Sequence, residues 1–136
     1  MARSTSLSAW EPHLLSILRI VAGLLILQHG AQKILGFPPG GSGGGVDLST
    51  LAGWSGPIEL IGGVLIVIGL FTRQAAFVLS GFTAVAYWTV HAPQSPYPIN
   101  NGGELAVLYC FVFLYLVFAG PGPWSLDSAL RGGRRR

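Results

Sequence analysis

The chain has 136 residues, of which 51% are apolar and only 10% are Asp, Glu, Lys or Arg, and it carries a net charge of +3. Soluble domains hold about a quarter charged residues, so this composition excludes a mainly water-facing surface and points to lipid as the principal solvent. The charge comes mainly from Arg131, Arg134, Arg135 and Arg136 beside an apolar segment, so membrane lipid with anionic headgroups, and no nucleic acid, is the expected partner of that tail.

Four apolar runs predict an all-α fold, a four-helix transmembrane bundle formed by one domain over residues 1–136. The spans are expected at about 13–36, 51–72, 74–91 and 103–119, followed by a basic C-terminal tail at 120–136. With a rise of about 1.5 Å per residue, the first run covers the roughly 30 Å hydrocarbon layer. It ends in His29, Gln32 and Lys33 rather than a small-residue cleavage site, and is expected to remain as an anchor. Glycine and proline between 36 and 45 cannot continue a helix and predict an external loop. The last two spans are short and reach across by including flanking polar residues. Between the second and third spans, Thr72, Arg73 and Gln74 leave room only for a tight turn. Proline and glycine from 93 to 103 separate the third and fourth spans, and Gly120, Pro121, Gly122 and Pro123 end the last.

An even number of spans puts Arg3, Arg73 and the C-terminal arginines on one side, with Lys33 at the edge of the other. The positive-inside bias then predicts cytoplasmic N- and C-termini in a bacterial inner (plasma) membrane. Trp10, Trp54, Trp88 and Trp124 lie near span ends, where interfacial tryptophans belong.

Ionisable groups at membrane depth face a bundle interior or a cavity, so helical phase identifies the candidate site. In the first span Arg19, Ala22, Gly23, Ile26, His29, Gly30 and Lys33 share one arc. In the second, Glu59 lies on a face with Gly56, Gly62 and Gly63, residues that permit close helix approach. The third span aligns Ser80, Thr83, Tyr87 and His91, and the fourth begins at Glu104 just after Asn100 and Asn101. His29, Lys33, Glu59, His91 and Glu104 should therefore gather at the external end of the bundle. Glu59, His29, His91 and Glu104 are the candidates for proton handling, and Lys33, Tyr87, Asn101 and Arg19 for ligand binding.

Each group also has a plainer reading. Glu59 and Lys33 can be a structural ion pair, and single histidines are more often hydrogen-bonded framework residues. Arg19, nearer the cytoplasmic leaflet, is expected to snorkel or to hold a lipid phosphate. Imidazole and carboxylate donors suit a metal, but no HxxxH or CxxC spacing supports a metal centre. No motif for haem, flavin or nicotinamide is evident, nor a phosphate-binding loop or a nucleophile elbow. The single Cys110 offers no cysteine pair for thiol chemistry.

The segments LRIVAGLLILQHGAQKILGF, PIELIGGVLIVIGLFTRQAA and AYWTVHAPQSPYPINNGGELAVLYCFVFLYLVFAGPGPWSLD, in that order, resemble the DoxX family of small bacterial and archaeal membrane proteins. The resemblance covers nearly the whole chain and implies a four-helix membrane bundle. It singles out Arg19, His29, Gly30, Lys33, Glu59, Arg73, His91, Asn101, Gly102, Glu104 and Asp127, and assigns none of them a proven role. The family includes proteins associated with quinone-linked sulfur oxidation and with membrane oxidoreductase complexes. The expected function is accordingly a membrane subunit of a redox system. It would bind a quinone or similar amphipathic ligand at the outer polar site, and its electrons would come from a redox-enzyme partner. The alternatives are a non-enzymatic assembly or lipid-binding protein and a small-solute transporter, the last requiring a homo-oligomer.

Overall fold

The computed structural model describes residues 6–41 and 46–133, and all regular structure among them is helical. A short 3-10 turn at Ser8–Trp10 leads into α1, Glu11–Leu35. Pro12 at the start of α1 loses no intrahelical bond there, and Gly36, with a φ of 68°, ends the helix in the left-handed region. α2 is Leu51–Ile68, and its first turn is capped by Thr50, whose hydroxyl accepts from Gly53 N. α3, Thr72–Ala86, runs on into a π-helical turn at Tyr87–His91. A short α4, Pro98–Asn101, precedes α5, Glu104–Ala119, and α6, Leu126–Gly133, follows the bundle.

Two of these helical stretches, Ser8–Leu35 and Leu51–Ile68, are long and apolar enough to cross a bilayer, and α5 is a shorter apolar helix. The most extensive packing joins α1 to α2 and α3 to α5, with lesser contacts from α2 to α3 and from α1 to α5. The four therefore form a ring in the order α1, α2, α3, α5. Its core gathers Ile26 of α1, Ile66 of α2, Leu79 of α3 and Phe113 and Leu116 of α5, all at 2% exposure or less. Large apolar residues on the outward faces, such as Val21, Ile61, Phe77 and Phe111, stay exposed, as a lipid solvent requires.

Glycine sets how closely α1 and α2 approach. A Cβ added at Gly30 would lie 2.3 Å from Leu60 N, and one at Gly63 would lie 2.7 Å from Leu27 Cα. The two backbones thus touch where a side chain would hold them apart, which brings polar residues on the two helices within direct reach.

The ends of the helices carry most of the differences from the expected spans. The second stops at Ile68 rather than near 72, because Gly69 at φ 69° turns the chain and Phe71 also takes a left-handed φ of 48°. That conformation is costly for a bulky residue, and here it is held from outside: Asp127 of α6 accepts Phe71 N at 3.0 Å and Thr72 N at 2.9 Å. α3 has no side-chain cap of its own, so a carboxylate from the far end of the chain supplies it. The segment expected as a tail therefore contains a docked helix. Burial pulls the Asp127 carboxyl upward, but the hydrogen bonds from Thr72 and Phe71, aided by Arg131, outweigh it and hold the group below the usual carboxylate range.

Candidate functional site

Arg19, expected to snorkel or to hold a lipid phosphate, lies inside the bundle. Its side chain is fully buried, at 0% exposure, and points into the bundle. Its Nε donates to Ile66 O at 2.9 Å, its guanidinium donates to Pro121 O and to Trp124 O at 2.7 Å, and it reaches Val67 O at 3.4 Å. Carbonyls at the end of α2, Ile66 O among them accepting Gly69 N as well, and carbonyls in the 120–125 segment thus take the fork of donors that a phosphate would need. Snorkelling fails as an expectation because helical phase turns Arg19 inward with Ser16, Ala22 and Gly23. Arg73 acts in the same way on α5, donating to the carbonyls of Val117 and Phe118.

At the opposite end, the Gly30 and Gly63 approach sets α1 against α2 so that Lys33 Nζ lies 2.7 Å from Glu59 Oε2. Lys33 also donates to Ser55 Oγ at 3.0 Å, and Ser55 in turn donates to Ala52 O. The pair is asymmetric: the Lys33 side chain is 42% exposed, whereas that of Glu59 is 9% exposed. The carboxylate belongs to the protein interior and the ammonium forms its mouth.

His29 sits one helical turn before Lys33, with its ring edge-on to Tyr109 of α5 at 6.3 Å between centroids. Tyr109 is 6% exposed, stacks on Phe113, and lies within electrostatic range of Glu59. Tyr109 is absent from the candidate residues named from the sequence. The sequence offers no signal for it, because apolar residues surround the axis of α5 and no face stands out by spacing.

His91, Tyr87 and Asn101 form a second polar cluster, between the end of α3 and α4. The π turn, closed by Ala92 N donating to Tyr87 O at 2.9 Å, stacks the His91 ring on Tyr87 at 6.4 Å. His91 Nδ1 lies 3.0 Å from Asn101 O; a carbonyl only accepts, so Nδ1 carries the proton and Nε2 is left free of that bond. Asn101, 4% exposed, donates to Ser95 O at 2.9 Å and to Tyr87 Oη at 3.4 Å, and accepts Gly103 N at 2.8 Å. Its amide is the knot that shapes the loop between α3 and α5. Glu104, at the start of α5, is exposed and takes part in no ion pair among the described residues. The five polar groups thus divide: Glu59 with Lys33, His29 with Tyr109, His91 with Asn101, and Glu104 on the surface.

An apolar four-membered helix ring with polar contacts concentrated at its two ends defines a small helical membrane protein. Comparison with known proteins gives the family. The DoxX family profile matches residues 14–92. An uncharacterized protein of Haemophilus influenzae is 44% identical over 129 residues, covering 90% of this chain and 95% of its own. An uncharacterized membrane protein of Mycobacterium tuberculosis is 30% identical over 149 residues, covering 91% of this chain and 85% of its own. No solved structure matches the chain. The chain belongs to the DoxX family of membrane proteins.

Proposed function

We propose that this protein is a membrane subunit of a redox system that receives the headgroup of a quinone, or a similar amphipathic molecule, at the mouth formed by Lys33. In this reading all four long helices cross a bacterial inner membrane, with both termini cytoplasmic and the Lys33–Glu59 pair toward the outer leaflet. The single observation that carries the reading is a carboxylate of a residue only 7% exposed, joined at 2.7 Å to an ammonium that remains 42% exposed. An ion pair open on one side offers a donor to an entering carbonyl oxygen and a carboxylate positioned to exchange a proton with it.

A bound quinone takes up two electrons and two protons to become a quinol, and the electrons come from a redox-enzyme partner. The chain's own contribution is confined to binding and protons. Lys33 donates to the headgroup oxygen and steadies the negative charge that builds there on reduction. Glu59, ionised in the resting pair, accepts a proton at its carboxylate and passes it to that oxygen, and the His29–Tyr109 contact lies on the inner side. His91 and Glu104 are the further proton-handling groups of this reading. The donor set fits an oxygen-bearing headgroup, and the exposed apolar faces of the helices fit an isoprenoid tail.

The short Lys33–Glu59 distance also favours a second reading, an ion pair that only clasps α1 to α2 in a non-enzymatic, lipid-binding protein. Glu59→Gln, Lys33→Met and the double variant, purified in nanodiscs, separate the two. With the quinone reading, each single variant folds yet loses binding of a short-chain quinone analogue, read by tryptophan quenching, and the double variant does not recover it. With the clasp reading, each single variant chiefly lowers thermal stability and the double variant regains much of it. Breaking the pair costs less than the roughly 3–5 kcal/mol of a fully buried one, because Lys33 is partly solvated. Unchanged analogue binding by a well-folded Glu59→Gln protein defeats the quinone proposal.

A further inference from the structure

The end of the bundle opposite the Lys33–Glu59 pair carries a second surface. α6 is held there rigidly: Asp127 takes the N–H groups of Phe71 and Thr72, Asp127 N donates to Gly69 O at 2.9 Å, and Ser128 Oγ donates to Gly122 O at 2.8 Å. The segment leading into α6 is fixed by Arg19 through Pro121 O and Trp124 O, and by Ser16, whose hydroxyl accepts Trp124 N. At 100° per residue, Leu126, Ala129 and Leu130 form one stripe of α6, turned away from the anchored Ser128. Leu126 is 46% and Leu130 60% exposed, a costly arrangement in water on a helix otherwise rich in polar groups.

Three further features say what covers the stripe. Trp10, His13 and Trp124 form a row at the same end, with His13 5.4 Å from Trp10 and 5.2 Å from Trp124, and both tryptophans more than half exposed. Half-exposed tryptophans beside a membrane span sit at headgroup level. Arg131 leaves the polar side of α6, and Arg134, Arg135 and Arg136 follow in the sequence. Finally, α6 is docked on the bundle by its polar residues, which is the reverse of a helix packed onto protein by its apolar face.

We infer that α6 is an interfacial helix whose Leu126–Leu130 stripe lies in the boundary of the surrounding bilayer, where Arg131 and the three arginines that follow α6 in the sequence bind anionic phospholipid headgroups. Each arginine close to an anionic surface strengthens attachment about fivefold, an effect that salt screens. Lipid of that charge therefore draws the stripe deeper into the boundary, adding to the seat that Asp127 gives α6 against the turn between α2 and α3.

The test uses the full chain in a Cys110→Ala background, with a bimane label at Leu130→Cys or Leu126→Cys on the stripe. The control label is at Gly132→Cys, where an added Cβ meets nothing within 4 Å. Nanodiscs are made from phosphatidylcholine alone or from its mixture with phosphatidylglycerol, each with bromine-bearing acyl chains. In the mixed discs both stripe labels should lose several-fold more emission to brominated lipid than the Gly132 label, and aqueous iodide should quench in the opposite order. The stripe quenching should fall in phosphatidylcholine alone, in high salt, and when Arg131, Arg134, Arg135 and Arg136 are all changed to Gln. Stripe labels open to iodide in mixed discs, or shielded from iodide and lipid alike by another protein, overturn the inference. Equal lipid quenching with and without phosphatidylglycerol overturns the anionic requirement.

Discussion

Gly30 shows how a residue without a side chain decides the chemistry around it. Its backbone touches that of α2 at Leu60, and that contact brings Lys33 within 2.7 Å of Glu59. Gly30→Ala puts a methyl group 2.3 Å from a backbone nitrogen, a clash that no flexible side chain can relieve. The variant should lose about 1–3 kcal/mol of stability through overpacking. It should also lengthen the Lys33–Glu59 pair, so thermal unfolding in detergent should shift downward together with weaker quinone-analogue binding. Gly81→Ala is the control, because a Cβ there meets nothing within 4 Å and its midpoint should hold or rise slightly. Arg19 teaches the complementary lesson. Its place on the polar arc of the first span is legible in the sequence, but its partners are backbone carbonyls from residues 66, 67, 121 and 124, which no side-chain pattern reveals.

Among the elements, the helix ends are where this fold departs from four simple spans. Arg19 serves the carbonyls ending α2, Arg73 those ending α5, and Asp127 the N–H groups opening α3. Each cap comes from another helix, so these end groups hold the ring together as well as satisfying the backbone. The Asp127 cap has a defined pH dependence. Its folded carboxyl is depressed, so its stabilisation is fully present above the ordinary carboxylate value of about 3.9 and is lost as pH falls through the lower folded value. Protease protection of α6 should therefore stay constant from neutral pH to about pH 4 and decline below it. Asp127→Ala should reduce that protection at neutral pH by about 0.5–2 kcal/mol, the usual worth of a helix cap. Release of α6 that tracks pH between 5 and 7 would contradict this assignment.

On the scale of the whole molecule, the ring order places residues 6–10 and α6 at one end, because Ser16 Oγ accepts Trp124 N and Trp10 and Trp124 flank His13. Their common side is expected to be the cytoplasm. Single cysteines at Ser6, Ser49 or Arg131 in a Cys110→Ala background decide it: an impermeant maleimide added to intact cells should label only Ser49→Cys. Labelling of Ser6→Cys or Arg131→Cys with Ser49→Cys protected would reverse the orientation. The helical class and the inward faces of α1 and α2 were legible because small and polar residues recur at spacings of three and four. The site was legible only in part. Glu59, Lys33 and His29 lie on continuous helices whose phase can be followed. The His91 contact depends on a π turn, and Tyr109 lies on a helix whose apolar residues surround its axis, so counting alone gives neither. α6 was missed because it spans only eight residues and follows a run rich in glycine and proline.

The cap on α3 also imposes an order in time. The N–H groups of Phe71 and Thr72 wait for a carboxylate 56 and 55 positions further along the chain. While the ribosome is still making α5, the turn between α2 and α3 has no carboxylate to hold Phe71 in its left-handed conformation. The turn is locked only once α6 has been made, so the docking of α6 follows the formation of α2 and α3.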